Sequence, residues 1–255
     1  MITGGARKRV LVTGGARGIG AAIVETAARA GHDVVFTYRS SREEAEAVAA
    51  RVRSEVAGVV IETRALDLGD RDAVDAFAKN VAEEDAFYGF VHNAGQSYDT
   101  LVAMMAQDKA EAAMQVNFWS MTRIVSALVR PMTIKREGRI VAISSAAALR
   151  ATQGNGAYAA TKAAMIAYIR NVAIETAKRG VTANAVAPGF VDTAMLESYA
   201  AYRDKIEKQV PAGRFAKAED VAGVVAFLLS PASAYVTGVA IPVDGGLTAS
   251  MGVQR

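Results

Sequence analysis

Apolar residues along this chain fall into two patterns that take turns. Short runs at residues 10–12, 34–38, 59–66, 87–91, 140–143, 181–187 and 239–243 are rich in Val, Ile, Phe and Ala and read as strands. Between them the apolar positions recur at helical spacing. They cover residues 19–30, the series 45, 48, 49, 52 and 56, residues 108–134, residues 158–178, and the series 221, 224, 225, 228 and 229. Strand and helix in alternation predict a parallel α/β sheet covered on both faces, since each crossover must carry the chain back over the sheet. No Ser/Pro/Gly-rich linker divides residues 1–255 and no solenoid period repeats, so a single domain is expected. The pattern loosens over residues 189–212. In a doubly wound sheet ligands sit at the carboxyl ends of the strands, and this segment follows such an end. It reads either as a mobile substrate-side flap or as a surface helix pair.

Composition narrows the classes without naming one. The chain has 255 residues, 52% hydrophobic and 22% charged, which is globular rather than disordered. A net charge of +3 from scattered basic residues argues against a nucleic acid partner. There is no cysteine, and His32 and His92 are isolated, so neither disulfides nor a metal site is expected. His32 is expected at a helix-to-strand turn and His92 as filler at a strand end. No apolar stretch approaches the roughly twenty residues of a membrane span. The run Val10-Leu11-Val12 that follows Arg7, Lys8 and Arg9 is too short for a signal peptide. The expectation is a soluble cytoplasmic protein, with residues 1–8 as a flexible leader.

Chemistry first shows at Thr13-Gly14-Gly15-Ala16-Arg17-Gly18-Ile19-Gly20, which follows the first strand and opens the first helix. Glycines there permit a tight turn and let backbone N–H groups approach a pyrophosphate at the helix N-terminus. Thr3-Gly4-Gly5-Ala6-Arg7 repeats the first five residues but lacks both the strand before and the helix after, so context carries the reading. No Lys-Ser/Thr follows the glycines, which excludes a nucleotide triphosphatase loop. Sites for NAD place an acid at the end of the second strand, where this chain has Tyr38-Arg39-Ser40-Ser41. Arg39, with Arg17 and Ser40, suits a 2′-phosphate, so NADP(H) is the expected cofactor. The alternative is a pair of solvated arginines.

Tyr158 and Lys162 stand four apart in a helical stretch and so share a face. A phenol is a poor acid at neutral pH, and a neighbouring ammonium is expected to lower its pKa. Ser145 ends the apolar run 140–143 and offers a hydroxyl to a substrate oxygen.

These motifs, in order, resemble those of the short-chain dehydrogenase/reductase family, over residues 10 to about 247. They include Asp67-Leu68, Asn93-Ala94-Gly95, Asn117, Pro188-Gly189, Gly213-Arg214-Phe215, Glu219-Asp220-Val221-Ala222 and Val243-Asp244-Gly245-Gly246. The resemblance implies a three-layer Rossmann fold with a doubly wound, seven-stranded parallel sheet. It implies that Tyr158 is the general acid of carbonyl reduction and that Lys162 lowers its pKa and bonds the nicotinamide ribose. Ser145, rather than Ser144, would orient the carbonyl, and Asn117 would anchor a water linking Lys162 to solvent. Gly14, Arg17, Gly18, Ile19, Gly20, Arg39 and Ser40 would hold one half of the cofactor. Asp67 and Leu68 would meet the adenine, and Asn93, Ala94 and Gly95 would support the adenosine side. Pro188, Gly189, Val191 and Thr193 would frame the nicotinamide.

Within that family the chain is most similar to 3-oxoacyl-acyl-carrier-protein reductases of fatty acid and polyketide synthesis. That implies NADPH-dependent reduction of a β-ketoacyl thioester, an acyl carrier protein partner docked by Arg136 and Arg179 beside the site, and a homotetramer. Both arginines also suit a helix C-terminus. His92 replaces an Asn usual before Asn93, Ala148 replaces a Gly, and Gln96-Ser97-Tyr98-Asp99 departs from Ile-Thr-Arg-Asp. A free ketone, sugar, steroid or quinone is the alternative substrate, and a non-catalytic dinucleotide sensor the distant one.

Overall fold

A computed structural model of the chain describes residues 7–194, 196 and 201–250. The strands are β1 (Arg9–Thr13), β2 (Asp33–Tyr38), β3 (Ile61–Ala65), β4 (Gly89–His92), β5 (Gly138–Ile143), β6 (Val181–Pro188) and β7 (Ala240–Val243). They form one parallel sheet in the order β3-β2-β1-β4-β5-β6-β7. The order reverses between β1 and β4, which opens a crevice at their carboxyl ends.

Strand alternation divides the core into two layers. Val10, Val12, Val34 and Phe36 point to one face and pack on α1 (Gly18–Arg29), α2 (Arg42–Glu55) and α8 (Ala218–Leu229). Leu11, Val35 and Phe90 point to the other, against α3 (Arg71–Glu83), α5 (Ser120–Lys135) and α6 (Gly156–Thr176). Each layer buries large side chains completely, among them Phe36 and Ile23 on the first face and Phe90, Ile124 and Met165 on the second. Two layers of helix over one sheet give the three-layer α/β/α arrangement.

Three elements differ from the sequence pattern. The helix α3 lies outside the expected elements, although Val74, Phe77, Ala78 and Val81 have helical spacing; Asp70 caps it by accepting from Ala73 N at 3.0 Å. Residues 59–60 stay outside β3, and Val60 is exposed. The stretch 108–134 is two helices, α4 (Gln107–Met114) and α5, joined by a π turn over Gln115–Trp119. Asn117 sits in that turn, fully buried, with its side chain tied to two other segments. A π turn at such a residue fits its use at functional sites.

The expected leader is only partly within the described residues. Of it, Arg7 bonds the Ala57 carbonyl at 2.9 Å and Lys8 pairs with Glu137 at 2.5 Å, so the chain is already fastened there. Beyond Pro188, the helix α7 (Arg203–Glu207) belongs to the expected flap.

Candidate active site

Thr13 ends β1 and the glycine loop turns directly into α1. Gly14 (φ 69°) and Gly18 (φ 54°) occupy the left-handed region that glycine tolerates. At Gly20 the reason is space, because a Cβ there would lie 1.9 Å from the Gly14 carbonyl oxygen. The first turn of α1 carries no acid and no side-chain cap, so its N–H groups and positive dipole end face the crevice unopposed. The loop is braced from β4: Asn93 Nδ2 donates to Gly14 O at 2.9 Å, and Thr13 Oγ1 accepts from Asn93 N and Ala94 N at 3.1 and 3.2 Å. The Asn93 and Ala94 bonds thus run to the glycine loop, where an adenosine role was expected.

One cavity of about 1930 Å³ gathers Gly14, Arg17, Gly18, Ile19, Gly20, Arg39, Ser40, Asp67, Leu68, Asn93, Ala94 and Gly95 at one end. Ser145, Tyr158, Lys162, Pro188, Gly189, Val191 and Thr193 line its other end. It exceeds the usual pocket for one small ligand and leaves room for a dinucleotide with a substrate. Arg17 and Arg39 are both exposed at its rim. Asp33, at the opposite end of β2, accepts from Val60 N and takes no part. Asp67 Oδ1 accepts from Gly69 N at 2.8 Å, which fixes the turn after β3. A Cβ on Gly189 would lie 2.9 Å from Asp244 Cα, so the chain leaves β6 where only glycine fits.

The reactive side chains converge where β5 and α6 meet. Ser144 Oγ donates to the Lys162 carbonyl and is buried, so the structure turns Ser144 inward and leaves Ser145 on the cavity. Tyr158 is half-buried. Burial pushes its phenol up to about 12, a hydrogen bond with Ser145 pulls the other way, and Asp99 adds a further rise. Lys162 is 3% exposed. Its Nζ donates to the Ile143 carbonyl at 2.8 Å and lies 5.7 Å from the Tyr158 ring centroid. Burial lowers it to about 8. The expected lowering of Tyr158 by Lys162 is therefore not what the chain's own charges produce. Burial is the largest of the influences on the phenol, and Lys162 is not among them. The effect of burial is to keep Tyr158 a neutral phenol, the form that donates a proton.

Asn117 is saturated: Oδ1 accepts from Gln96 N at 2.7 Å, and Nδ2 donates to Gln96 O and Thr161 Oγ1 at 2.9 and 2.8 Å. Its side chain thus clamps the segment after Gly95 to α6, between Lys162 and the crevice. Thr13 opens the glycine-loop motif but had no role assigned, and Thr161 was not singled out; both supply hydroxyls that brace the site. Neither carries a signal beyond a hydroxyl in a buried stretch.

A family profile described as enoyl-(acyl carrier protein) reductase matches residues 14–248. The chain is 38% identical over 240 residues to the 3-oxoacyl-acyl-carrier-protein reductase FabG of Aggregatibacter actinomycetemcomitans, covering 93% of this chain and 98% of that one. The chain belongs to the short-chain dehydrogenase/reductase family. To the FabG reductase of Escherichia coli strain K12 this chain is 36% identical over 242 residues, 94% and 97% of the two chains. A solved structure described as a proposed NAD(P)-dependent gluconate 5-dehydrogenase from Beutenbergia cavernae, with NADP bound at low occupancy, superposes with a TM-score of 0.91. It is 33% identical and is matched over 96% of this chain and 98% of its own. A variant of actinorhodin polyketide ketoreductase with NADPH gives 0.88 at 28% identity, over 96% and 98%. The chain is accordingly an NAD(P)-dependent oxidoreductase that acts on a carbonyl or hydroxyl group.

The remaining expected residues lie elsewhere. Arg136 follows α5 in the left-handed region (φ 54°) and donates to the Lys178 carbonyl at 3.1 Å. Arg179 lies in the 3-10 turn that closes α6. Both precede the amino ends of β5 and β6, whereas Ser145 and Pro188 follow or end them at the carboxyl side. The six-residue β5, roughly 20 Å long, separates the two edges. In one subunit Arg136 and Arg179 are therefore not beside the site, which corrects that part of the expectation. His92 fills the end of β4 as expected and is buried, with Nδ1 3.2 Å from Thr13 Oγ1. Burial and Lys162 depress its pKa to about 3, so it is neutral at working pH. His32 stacks on Tyr88 at 5.5 Å, at the turn between α1 and β2. Among the described residues no His/Asp/Glu cluster could hold a metal and no helix is long and apolar enough to cross a membrane.

Proposed function

We propose that this reductase uses NADPH to reduce β-ketoacyl thioesters carried on an acyl carrier protein, working as a cytoplasmic homotetramer. The observation that carries the chemistry is Tyr158, a neutral acid lining the same cavity as Ser145, at the carboxyl edge of β5, and as the glycine loop. The loop's fit to a dinucleotide rests on its close glycine approaches and the unopposed start of α1. Gly14, Gly18, Ile19 and Gly20 would hold the pyrophosphate and Asp67 and Leu68 the adenine. Pro188, Gly189, Val191 and Thr193 would hold the carboxamide end. When bound, the cofactor supplies a hydride. The chain's own work is to place Ser145 on the carbonyl oxygen, to deliver the Tyr158 proton to that oxygen, and to refill the phenol beside Lys162. FabG relatives at 36–38% identity support the thioester substrate.

Arg39 supports NADPH over NADH, since its guanidinium and that of Arg17 stand on the rim where the acid of an NAD site would be. Arg39→Ala is expected to weaken NADPH by about 10- to 100-fold and NADH by under twofold. Equal loss for both, measured by fluorescence titration, would remove the 2′-phosphate role.

Substrate is tested by comparing acetoacetyl carrier protein with a panel of small ketones, sugars and quinones. Preference for any free ketone over the thioesters would transfer the reaction to that class. Charge reversal at Arg136 and Arg179 together is expected to raise KM for the carrier-linked substrate by roughly 10-fold or more while a pantetheine thioester keeps its KM. An unchanged carrier KM ends the docking idea. Their position at the far edge of the sheet means that, if they act, they serve the site of another subunit.

A further inference from the structure

The cavity lining carries basic residues besides Arg17, Arg39 and Lys162. Arg150 stands beyond the 3-10 turn Ala146–Ala148 that follows Ser145, and Lys205 and Lys208 belong to or adjoin α7. All three line the cavity, together with Gln153, Asn155 and Thr248. Arg39 follows β2 and Arg150 follows β5, with β1 and β4 between them. Three inter-strand spacings amount to roughly 14 Å. Arg17 and Arg39 therefore stand at the cofactor's 2′-phosphate end and Arg150 at the catalytic end.

Arg150 is anchored without being neutralised. Its Nη1 donates to the carbonyls of Leu247 and Ser250, at 2.9 and 2.5 Å, which ties the loop after Ser145 to the segment after β7. Carbonyls orient a guanidinium but carry no charge to cancel it. No carboxylate pairs with Arg150 among the described residues' ion pairs, and Asp99 is the acid on this side of the cavity lining. A planar, oriented cation in the cavity lining, with the Lys205 ammonium in that lining too, suits an oxyanion, which a guanidinium grips with two parallel bonds. A hydrophobic acyl tail offers such a wall nothing.

We propose that Arg150, with Lys205 in the same lining, forms an oxyanion-recognition site for the part of the substrate beyond its reacting carbonyl, and that the oxyanion is the phosphate of a pantetheine arm. The site's charge stands on the residues above; the phosphate as its source rests on the β-ketoacyl reading.

The test is a matched pair, acetoacetyl-4′-phosphopantetheine against acetoacetyl-pantetheine, with saturating NADPH. The readout is the ratio of their kcat/KM values, which cancels any general loss of activity or folding. The wild type is expected to favour the phosphorylated substrate by about 10- to 30-fold. Arg150→Gln brings the ratio close to one, Arg150→Glu inverts it, and Arg150→Lys keeps part of it. Added salt lowers the wild-type ratio and leaves the Arg150→Gln ratio flat. A wild-type ratio near one, or a ratio that survives in Arg150→Gln and Arg150→Glu, overturns the proposal. So does a loss of NADPH affinity in Arg150→Gln as large as the loss of preference, because Arg150 would then serve the cofactor. A pantetheine thioester with a terminal carboxylate on its acyl chain separates the two oxyanion sources; preference for that carboxylate over the phosphate overturns the assignment to the arm. If the wild type reduces no β-ketoacyl thioester, the functional reading fails separately. Ketones paired as free acid and methyl ester then report on the site itself: an acid preference lost in Arg150→Gln retains it, and none overturns it.

Discussion

Tyr158→Phe is expected to lower kcat for reduction by about three orders of magnitude while the Kd for NADPH changes less than twofold. The substitution removes one oxygen from a half-buried ring and leaves its packing intact. In the proposed reaction what disappears is the proton for the carbonyl oxygen, and a positioned acid of this kind contributes about 10²- to 10⁴-fold. The buried setting that holds the phenol up to about 12 also ensures it is fully protonated at pH 7. Single-turnover measurement with NADPH separates binding from chemistry. A variant that retains even a tenth of the wild-type rate would assign proton delivery elsewhere.

Lys162→Met is expected to abolish activity and yet raise stability. A lysine whose pKa is about 8 in the folded chain and 10.5 when free is an unfavourable charge at pH 7. The difference corresponds to about 3 kcal/mol, set against about 1 kcal/mol for the lost bond to Ile143 O. The net gain is then about 2 kcal/mol for an apolar side chain of similar length. The sign follows from proton counting. Between about pH 8 and 10.5 the unfolded chain binds the proton that the folded chain has released, so wild-type stability rises with pH in that window. The penalty is full below about 8 and gone above 10.5. Lys162→Met should remove this rise, leaving the advantage over wild type largest at neutral pH, gone near pH 10, where the penalty has fallen to the roughly 1 kcal/mol of the lost bond, and reversed above that. Above pH 10 the raised Tyr158 pKa works the other way in both proteins, since the folded chain then holds its proton longer. Denaturant titrations at pH 7 and pH 10 read the difference directly. A variant no more stable than wild type at pH 7 would mean that Lys162 is better solvated or paired than its burial implies.

Much of the fold was legible because the five inner strands, β1, β2, β4, β5 and β6, are buried on both faces and read as short, mostly apolar runs. Val10, Leu11 and Val12 are all fully buried, yet they serve two different core layers. The glycine loop and the Tyr158/Lys162 spacing were legible for a different reason, since sterics and helical periodicity act over a few neighbours. What escaped depends on distant partners. The break in 108–134 exists because Asn117 bonds Gln96 and Thr161, and no local pattern announces such a tie. The pKa of Tyr158 escaped for the same reason: a spacing argument places the lysine nearby but cannot weigh it against desolvation. Arg136 and Arg179 read as neighbours of the site by resemblance, whereas the length of β5 puts them at its far edge.

The π turn at Gln115–Trp119 has an evolutionary consequence. It holds one residue more than an α-helical turn, and each residue rotates a helix by about 100°. Losing one residue there would let the helix close into regular α geometry, but α4 would swing by that angle relative to α5. Ala113, fully buried, would leave the core, and Asn117 would lose its register with Gln96. Divergence within this stretch is therefore free to exchange side chains on the solvent face but bound to preserve its count, so length is the more strictly inherited trait.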